Sequence, residues 1–335
     1  MYSNEDLNSA INDGIFTQDN VDKFRESVSL KRKSPSVDEE NFRLISGFND
    51  IFVVIASMLT LLSASWVTYK ISPILSAIVV SLISWGLAEF FVRKRKMSFP
   101  AIILLSAFVG NSFYGFNLMF KDVLNSGNQE SLMLSSILTG IMTYLHWKRF
   151  KVPITLAFGM SVLIVFFIST FLSIFRDMEG FIPYLTLSLG FVTFKIAMYW
   201  DMKDTKRVSN NSDIAFWLHL LSAPLIVHSI FTILGVFNSS ENGIGTILAI
   251  ILLYITLSSI SLIIDRRAFM VSSLAYVLYA LTKLFNTYGV ESGSFAMAGM
   301  MIGFALLLLS GYWSKVRKIL ISFLPKWVRI RVPLV

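Results

Sequence analysis

Residues Val152 to Phe175 read VPITLAFGMSVLIVFFISTFLSIF, without one charged side chain. A helix needs about 20 predominantly apolar residues to cover the hydrocarbon core of a bilayer, and this stretch supplies them. Segments of the same kind recur on both sides: Ile51–Tyr69, Pro73–Val92, Pro100–Phe120 and Ser131–Trp147 before it, then Phe181–Trp200, Ile214–Phe237, Gly245–Ile264, Ala268–Tyr288 and Phe295–Tyr312 after it. The pattern predicts an all-α, polytopic bundle of about ten transmembrane helices.

Composition agrees. The chain is 55% hydrophobic and 15% charged and carries 29 Phe, which describes a protein whose solvent is mostly lipid. The net charge of +8 follows from Lys and Arg flanking the spans, so no nucleic-acid partner is expected. With no Cys, disulfides, thiolate catalysis and Cys-ligated metal centres are excluded. No cofactor, catalytic residue or metal site is expected. The polar, acidic amino terminus has no basic and apolar leader before Phe48, so the first span is expected to direct insertion.

Alternate connections carry the basic residues: Arg93 to Lys96, Lys148-Arg149 with Lys151, Lys203 with Lys206-Arg207, Arg266-Arg267, and the tail from Lys315 to Arg331. The opposite connections hold Lys70, Lys121 and Arg176. This alternation predicts both termini on the cytoplasmic side.

Three parts are expected. Residues 1–46 form a cytoplasmic helix pair and linker: Ser3 caps a first helix that Gly14 ends, and Thr17 caps a second, with Phe16 and Val21 in staple spacing. Leu7, Ala10, Ile11, Phe16, Val21, Phe24 and Val28 make one apolar surface suited to docking. Residues 47–313 form the bundle, and residues 314–335 a basic amphipathic tail lying on the leaflet, in contact with anionic lipid.

Charges inside a bilayer are costly, so their places are informative. Glu89 and Arg93 are spaced as an i,i+4 pair. Lys195 and Lys283 lie near span ends and can snorkel, and His146 adjoins Trp147 and Lys148 in an interfacial belt. The densest polar cluster combines Asp201, Asp204 and Arg207 on the cytoplasmic side with the helix that follows. There Asp213, Trp217, Leu220, Pro224 and His228 form a stripe that a proton or cation path could use, with His219 nearby. Packing accounts for the same residues if Ser212 or Asp213 caps the helix, Arg207 pairs with Asp201 or Asp204, and each His bonds a neighbour. Asn111 and Asn117 in the third span either bond across helices or line a path. Gly299 and Gly303 fit close helix approach, within the bundle or in a homo-oligomer.

The stretch Leu7 to Ile15, LNSAINDGI, together with Ser46 to Phe52, SGFNDIF, resembles uncharacterised bacterial multi-pass membrane proteins grouped as a domain of unknown function of the 2157 type. The segment from Ser212 to His228 is similar to members of that group as well. The resemblance implies a bacterial cytoplasmic membrane protein and brings no activity, substrate or site residue.

Three functions follow as expectations. A transporter-like protein suits about ten spans with amides at depth and a Pro-bearing, His-bearing helix, and five plus five spans allow an inverted repeat. A non-catalytic scaffold or sensor would dock partners through the amino-terminal pair. A membrane-embedded lipid-modifying enzyme would need Asp201, Asp204, Asp213 and His219 to converge.

Overall fold

Every backbone N–H and C=O inside lipid must be satisfied within the protein, and a chain this apolar does so with helices. The structure, a computed structural model, describes residues 4–24, 48–205, 209–235, 244–287, 293–329 and 332, and among them there is no strand. Ten long helices follow a short amino-terminal pair: α3 (Phe48–Tyr69), α4 (Pro73–Ala88), α5 (Ser98–Leu118), α6 (Asn128–Phe150), α7 (Ile154–Ile174), α8 (Ile182–Lys203), α9 (Asn210–Ile233), α10 (Ile244–Ile264), α11 (Ala268–Thr287) and α12 (Ser294–Ser322). Among the described residues nine of these are long and apolar enough to cross a membrane, and the exception is α6. The protein is an all-α, multi-pass membrane bundle.

Local chemistry sets the punctuation. Ser72 accepts from the Leu75 amide and Pro73 opens α4, a cap followed by a residue already fixed in helical φ. Wide π-helical turns, Glu89–Lys94 and Met119–Val123, finish α4 and α5. In the amino-terminal pair, α1 (Asn4–Asn12) is stopped at Gly14, whose φ of +72 suits a residue without Cβ. Thr17 Oγ1 accepts from the Asn20 amide and starts the second helix, α2, described over residues 18–24, and Val21 is buried while Phe16 and Phe24 stay exposed. Ser3 and Val28 lie outside the described residues.

The helices pack in two groups of five. In the first half α5 touches α3, α4, α6 and α7; in the second α11 touches α9, α10 and α12 while α8 lies along α9. The halves meet where α7 packs on α8 and α9. Two approaches are close: a Cβ at Gly115 of α5 would come within 2.8 Å of Ala77 of α4, and one at Gly190 of α8 within 2.9 Å of the Ile226 side chain of α9, so glycine lets these backbones meet.

Contacts between helix ends put the basic connections on one face. Glu89, at the end of α4, binds Arg149, at the end of α6, with Arg149 Nε 2.6 Å from Oε1. Two helices ending on the same face with α5 between them require α6 to cross the whole layer, although it is the least apolar of the ten. Trp147 of α6 packs with Trp200 of α8 and Ile214 of α9. Asp201 binds Arg266, and Asp265 binds Trp313, which brings in the α10–α11 turn and the far part of α12.

Three expectations need correcting. Helix α12 runs unbroken to Ser322, so the boundary read at 313/314 falls inside a helix, held there by the buried Arg317. Gly299 and Gly303 mark no close packing within the bundle: a Cβ at either would meet nothing within 4 Å. His146 is fully buried, because Trp85, Phe108 and Phe150 surround its ring.

Candidate functional site

Helix α9 is the most buried of the spans, yet the stripe from Asp213 to His228 is not its buried side. Leu220, Pro224 and His228 are exposed, and Asp213 and Trp217 are half-buried. The inner side carries Ile214, Leu218, Ser222, Ile226 and His219. His228 bonds the Tyr276 hydroxyl of α11 through Nδ1 at 2.7 Å, and Tyr276 stacks on Phe231. The two histidines nine positions apart thus serve different neighbours.

The expected cap is displaced too. Ser209 starts α9, accepting from the Asn211 amide, and Asp204 Oδ2 accepts from the Ser209 amide and hydroxyl at 2.8 and 2.7 Å. Ser212 is free of capping duty because the helix begins a turn earlier than its polar run suggests. Arg207 lies outside the described residues.

Under the basic face, Asp201, His219, Ser212 and Arg266 form a buried charge network. His219 Nε2–H donates to Asp201 Oδ2 at 2.8 Å, and Arg266 Nη2 donates to Asp201 Oδ1 at 2.6 Å and to Ser212 O and Oγ at 3.1 and 3.2 Å. The three charged or titratable members are at most 2% exposed. The local chain explains how Arg266 reaches them. Asp265 ends α10 at φ +56, a left-handed position that Asp tolerates, and Ser261 Oγ donates to Arg266 O, which folds the turn back under α8 and α9. Phe194 packs edge-on to His219 and also on Phe269, keeping the site dry. Asp265 in turn accepts from Trp313 Nε1 at 2.8 Å and lies 3.7 Å from Arg317. Residues 265–266 therefore tie α8, α9 and α12 at one point. A carboxylate held from both sides in a dry core is a strong pin, since removing either partner strands a charge. Of the four acidic and imidazole groups that enzyme chemistry would need together, Asp201 and His219 meet; among the described residues no three His, Asp or Glu side chains converge as a metal would require.

The second polar feature runs the length of α6. Its buried residues are Ser131, Ser135, Ser136, Thr139, Thr143 and His146, every one polar, while Ile137, Ile141, Tyr144 and Leu145 are exposed. Positions 131, 135, 139, 143 and 146 follow spacings of 4, 4, 4 and 3, one face of a helix. Four of these hydroxyls donate to backbone carbonyls of their own helix, from Ser131 to Asn128 O, Ser135 to Ser131 O, Ser136 to Leu132 O and Thr143 to Thr139 O. Such bonds let hydroxyls lie in a core at little cost. Thr139 Oγ1 and His146 Nδ1 are buried without a hydrogen-bond partner among the described residues.

Away from the basic face this stripe ends at Ser131. Asn117 of α5 donates to Ser131 Oγ at 3.3 Å, and beyond it lies a polar cavity of about 460 Å³ lined by Gln129, Glu130, Ser173, Arg176 and Glu179. Glu130 accepts from Ser173 Oγ and sits 3.7 Å from Arg176. At the other end the box of Trp85, Phe108 and Phe150 around His146 closes the stripe below the Glu89–Arg149 pair. Asn111, by contrast, donates to Ala107 O of its own helix at 2.9 Å and joins nothing across helices through that bond.

Asp201, His219 and Asn117 stand out in the sequence as polar residues in or beside apolar spans, whereas Arg266 looks there like one more basic loop residue and Asp265 like its acidic neighbour. The signal in α6 is local: its hydroxyls and His146 share the 4, 4, 4, 3 spacing in the sequence itself. In comparisons with protein-family models, curated proteins and solved structures, the chain matches none.

Proposed function

We propose that the protein is transporter-like and carries protons or a small polar solute through its first half, along the buried face of α6. The observation that supports this most is that α6 turns hydroxyls and an imidazole inward and its apolar residues outward to lipid, from Ser131 to His146. Hydroxyls that already bond their own helix can exchange those bonds for a passing solute or water, and the two unpartnered atoms, Thr139 Oγ1 and His146 Nδ1, are waiting acceptors or donors along the way. Glu130 and Arg176 form the open mouth, and the aromatic box at His146 the closed one. On this reading the Asp201–His219–Arg266 network anchors the second half while the first half moves. The basic face is cytoplasmic by the charge asymmetry of the connections, the membrane is the bacterial inner membrane, and the chain belongs with the multi-pass proteins that its amino-terminal stretches resemble.

The test is flux into vesicles carrying the purified protein, read by an entrapped pH dye for protons and by light scattering for glycerol and urea. Wild type should show flux of at least one of these. Thr139→Val, which removes the hydroxyl at nearly constant shape, should lower it at least tenfold with unchanged thermal stability. No flux in wild type, or full flux in Thr139→Val, defeats the proposal. One observation favours a second reading: Phe16 and Phe24 are 46% and 52% exposed, an apolar surface that a scaffold protein would offer to a partner.

A further inference from the structure

A groove of about 600 Å³ runs down the outer side of the junction between the halves, walled by α6 and α7 and closed on one side by Ile196 and Trp200 of α8 and Leu218 of α9. Gly140 and Gly159 form its floor, and Ile141, Tyr144 and Leu163 its flanks. On α6 it extends from Ser136 to Trp147. Eleven positions (147 − 136) rise roughly 16 Å, which matches half of a hydrocarbon core of about 30 Å, the depth of one leaflet. The groove ends at the basic face between Trp147 and Trp200, the amphipathic side chains that mark headgroup level. Lys203 stands over that end, its ammonium 5.0 Å from the Trp200 ring and 4.2 Å from the Tyr199 ring.

We propose that this groove is a binding site for one anionic phospholipid of the basic-face leaflet, with an acyl chain lying along Gly140 and Gly159 and the phosphate paired with Lys203. An apolar slot of this volume is of the size that ligand sites have. Its length suits a chain rather than a compact solute, and the Lys203 ammonium held at its mouth selects a negative head. The ammonium is already steered onto Trp200 by the ring, so it is presented at the mouth rather than swept through solvent. This site is separate from the basic tail, where anionic lipid is expected on charge alone, and it does not depend on the transport reading.

The experiment compares phosphatidylglycerol with phosphatidylcholine of identical chains, added to the detergent-purified full-length protein. Native mass spectrometry counts retained lipids, and thermal unfolding reads stabilisation. Wild type should retain one tightly held phosphatidylglycerol per chain and gain thermal stability from it, with phosphatidylcholine at least about fivefold weaker, the effect of one basic residue near a surface. Lys203→Gln should abolish that preference without changing stability in detergent alone, since the side chain is exposed. Gly159→Leu, which fills the floor, should lose retention of both lipids. Equal retention of the two lipids by wild type, an undiminished preference in Lys203→Gln, or a lipid-free dimer masking the groove would each overturn the proposal. If Gly159→Leu does not fold, Lys203→Gln still decides.

Discussion

In the first half of the bundle, α3 to α7, the buried polar side chains are Ser, Thr and His146, with one carboxylate, Asp50, near the start of α3; in the second half, α8 to α12, they include Asp201, Asp204, Asp265, Arg266 and Arg317. Hydroxyls and charges make different demands of a dry interior. A Ser or Thr can return its hydrogen to the preceding turn of its own helix, so Ser135, Ser136 and Thr143 commit no neighbour. A guanidinium or carboxylate cannot, and each of Asp201, Arg266 and Asp265 draws a partner from another part of the chain. The polar bonds that tie α6 to its neighbours therefore lie at its ends, at Ser131 and Arg149, whereas in the second half α8, α9, the α10–α11 turn and α12 are fastened together by buried charges. That contrast can be broken by mutation.

The largest effect is expected at Arg266. Arg266→Leu strands the Asp201 carboxylate in a dry site and should cost about 3–5 kcal/mol in reversible unfolding, whereas Arg266→Leu combined with Asp201→Asn should recover a good part of it. If the double variant is no better than the single one, the network is not a pin and the contrast between the halves is lost. A middle effect is expected at His219: His219→Leu removes one of the donors to Asp201 and should cost about 1–3 kcal/mol by the same measurement. His219→Gln, which can still donate, should cost less, and equal losses would show that shape rather than the hydrogen bond matters there. The smallest effect is expected in α6. His146→Phe puts a ring among Trp85, Phe108 and Phe150 in place of an imidazole whose Nδ1 has no partner, and unfolding should change by about 1 kcal/mol or less. A loss there as large as that of Arg266→Leu would mean that the first half is pinned as firmly as the second.

Much of the architecture was legible beforehand, because lipid imposes its constraint on each span separately. The run from Val152 to Phe175 announces α7 whatever its neighbours do, and the alternation of basic connections already implied that α6 crosses the layer. The Glu89–Arg93 pair is also local, with Arg93 Nη1 3.2 Å from Glu89, and only its second partner, Arg149, comes from far along the chain. The candidate site was legible in part. Asp201 and His219 stood out as rare polar residues near one face. Their pairing did not, since the groups that complete it, Arg266 and Ser212, are separated from Asp201 by 65 and 11 positions (266 − 201 and 212 − 201) and look in a linear reading like a basic loop residue and a helix cap. The stripe from Asp213 to His228 illustrates the converse: helical periodicity correctly puts these residues on one side of α9, yet periodicity is silent about which side faces the core. Packing on α8 and α11 turned Leu218 and His219 inward and left Pro224 and His228 outside.

Hydrophobic length and the charge of short loops act on each segment where it stands, so the fold class, the spans and the sharing of one face by the basic connections follow from the residues alone. Which polar residues are interior follows from packing. That choice depends on how each helix is rotated about its axis, and rotation is set by the neighbours: by Gly190 letting α8 close on α9, by Arg266 folding back to Asp201, and by the rings around His146. These contacts join positions tens of residues apart, and their energy exists only when both sides are already in place.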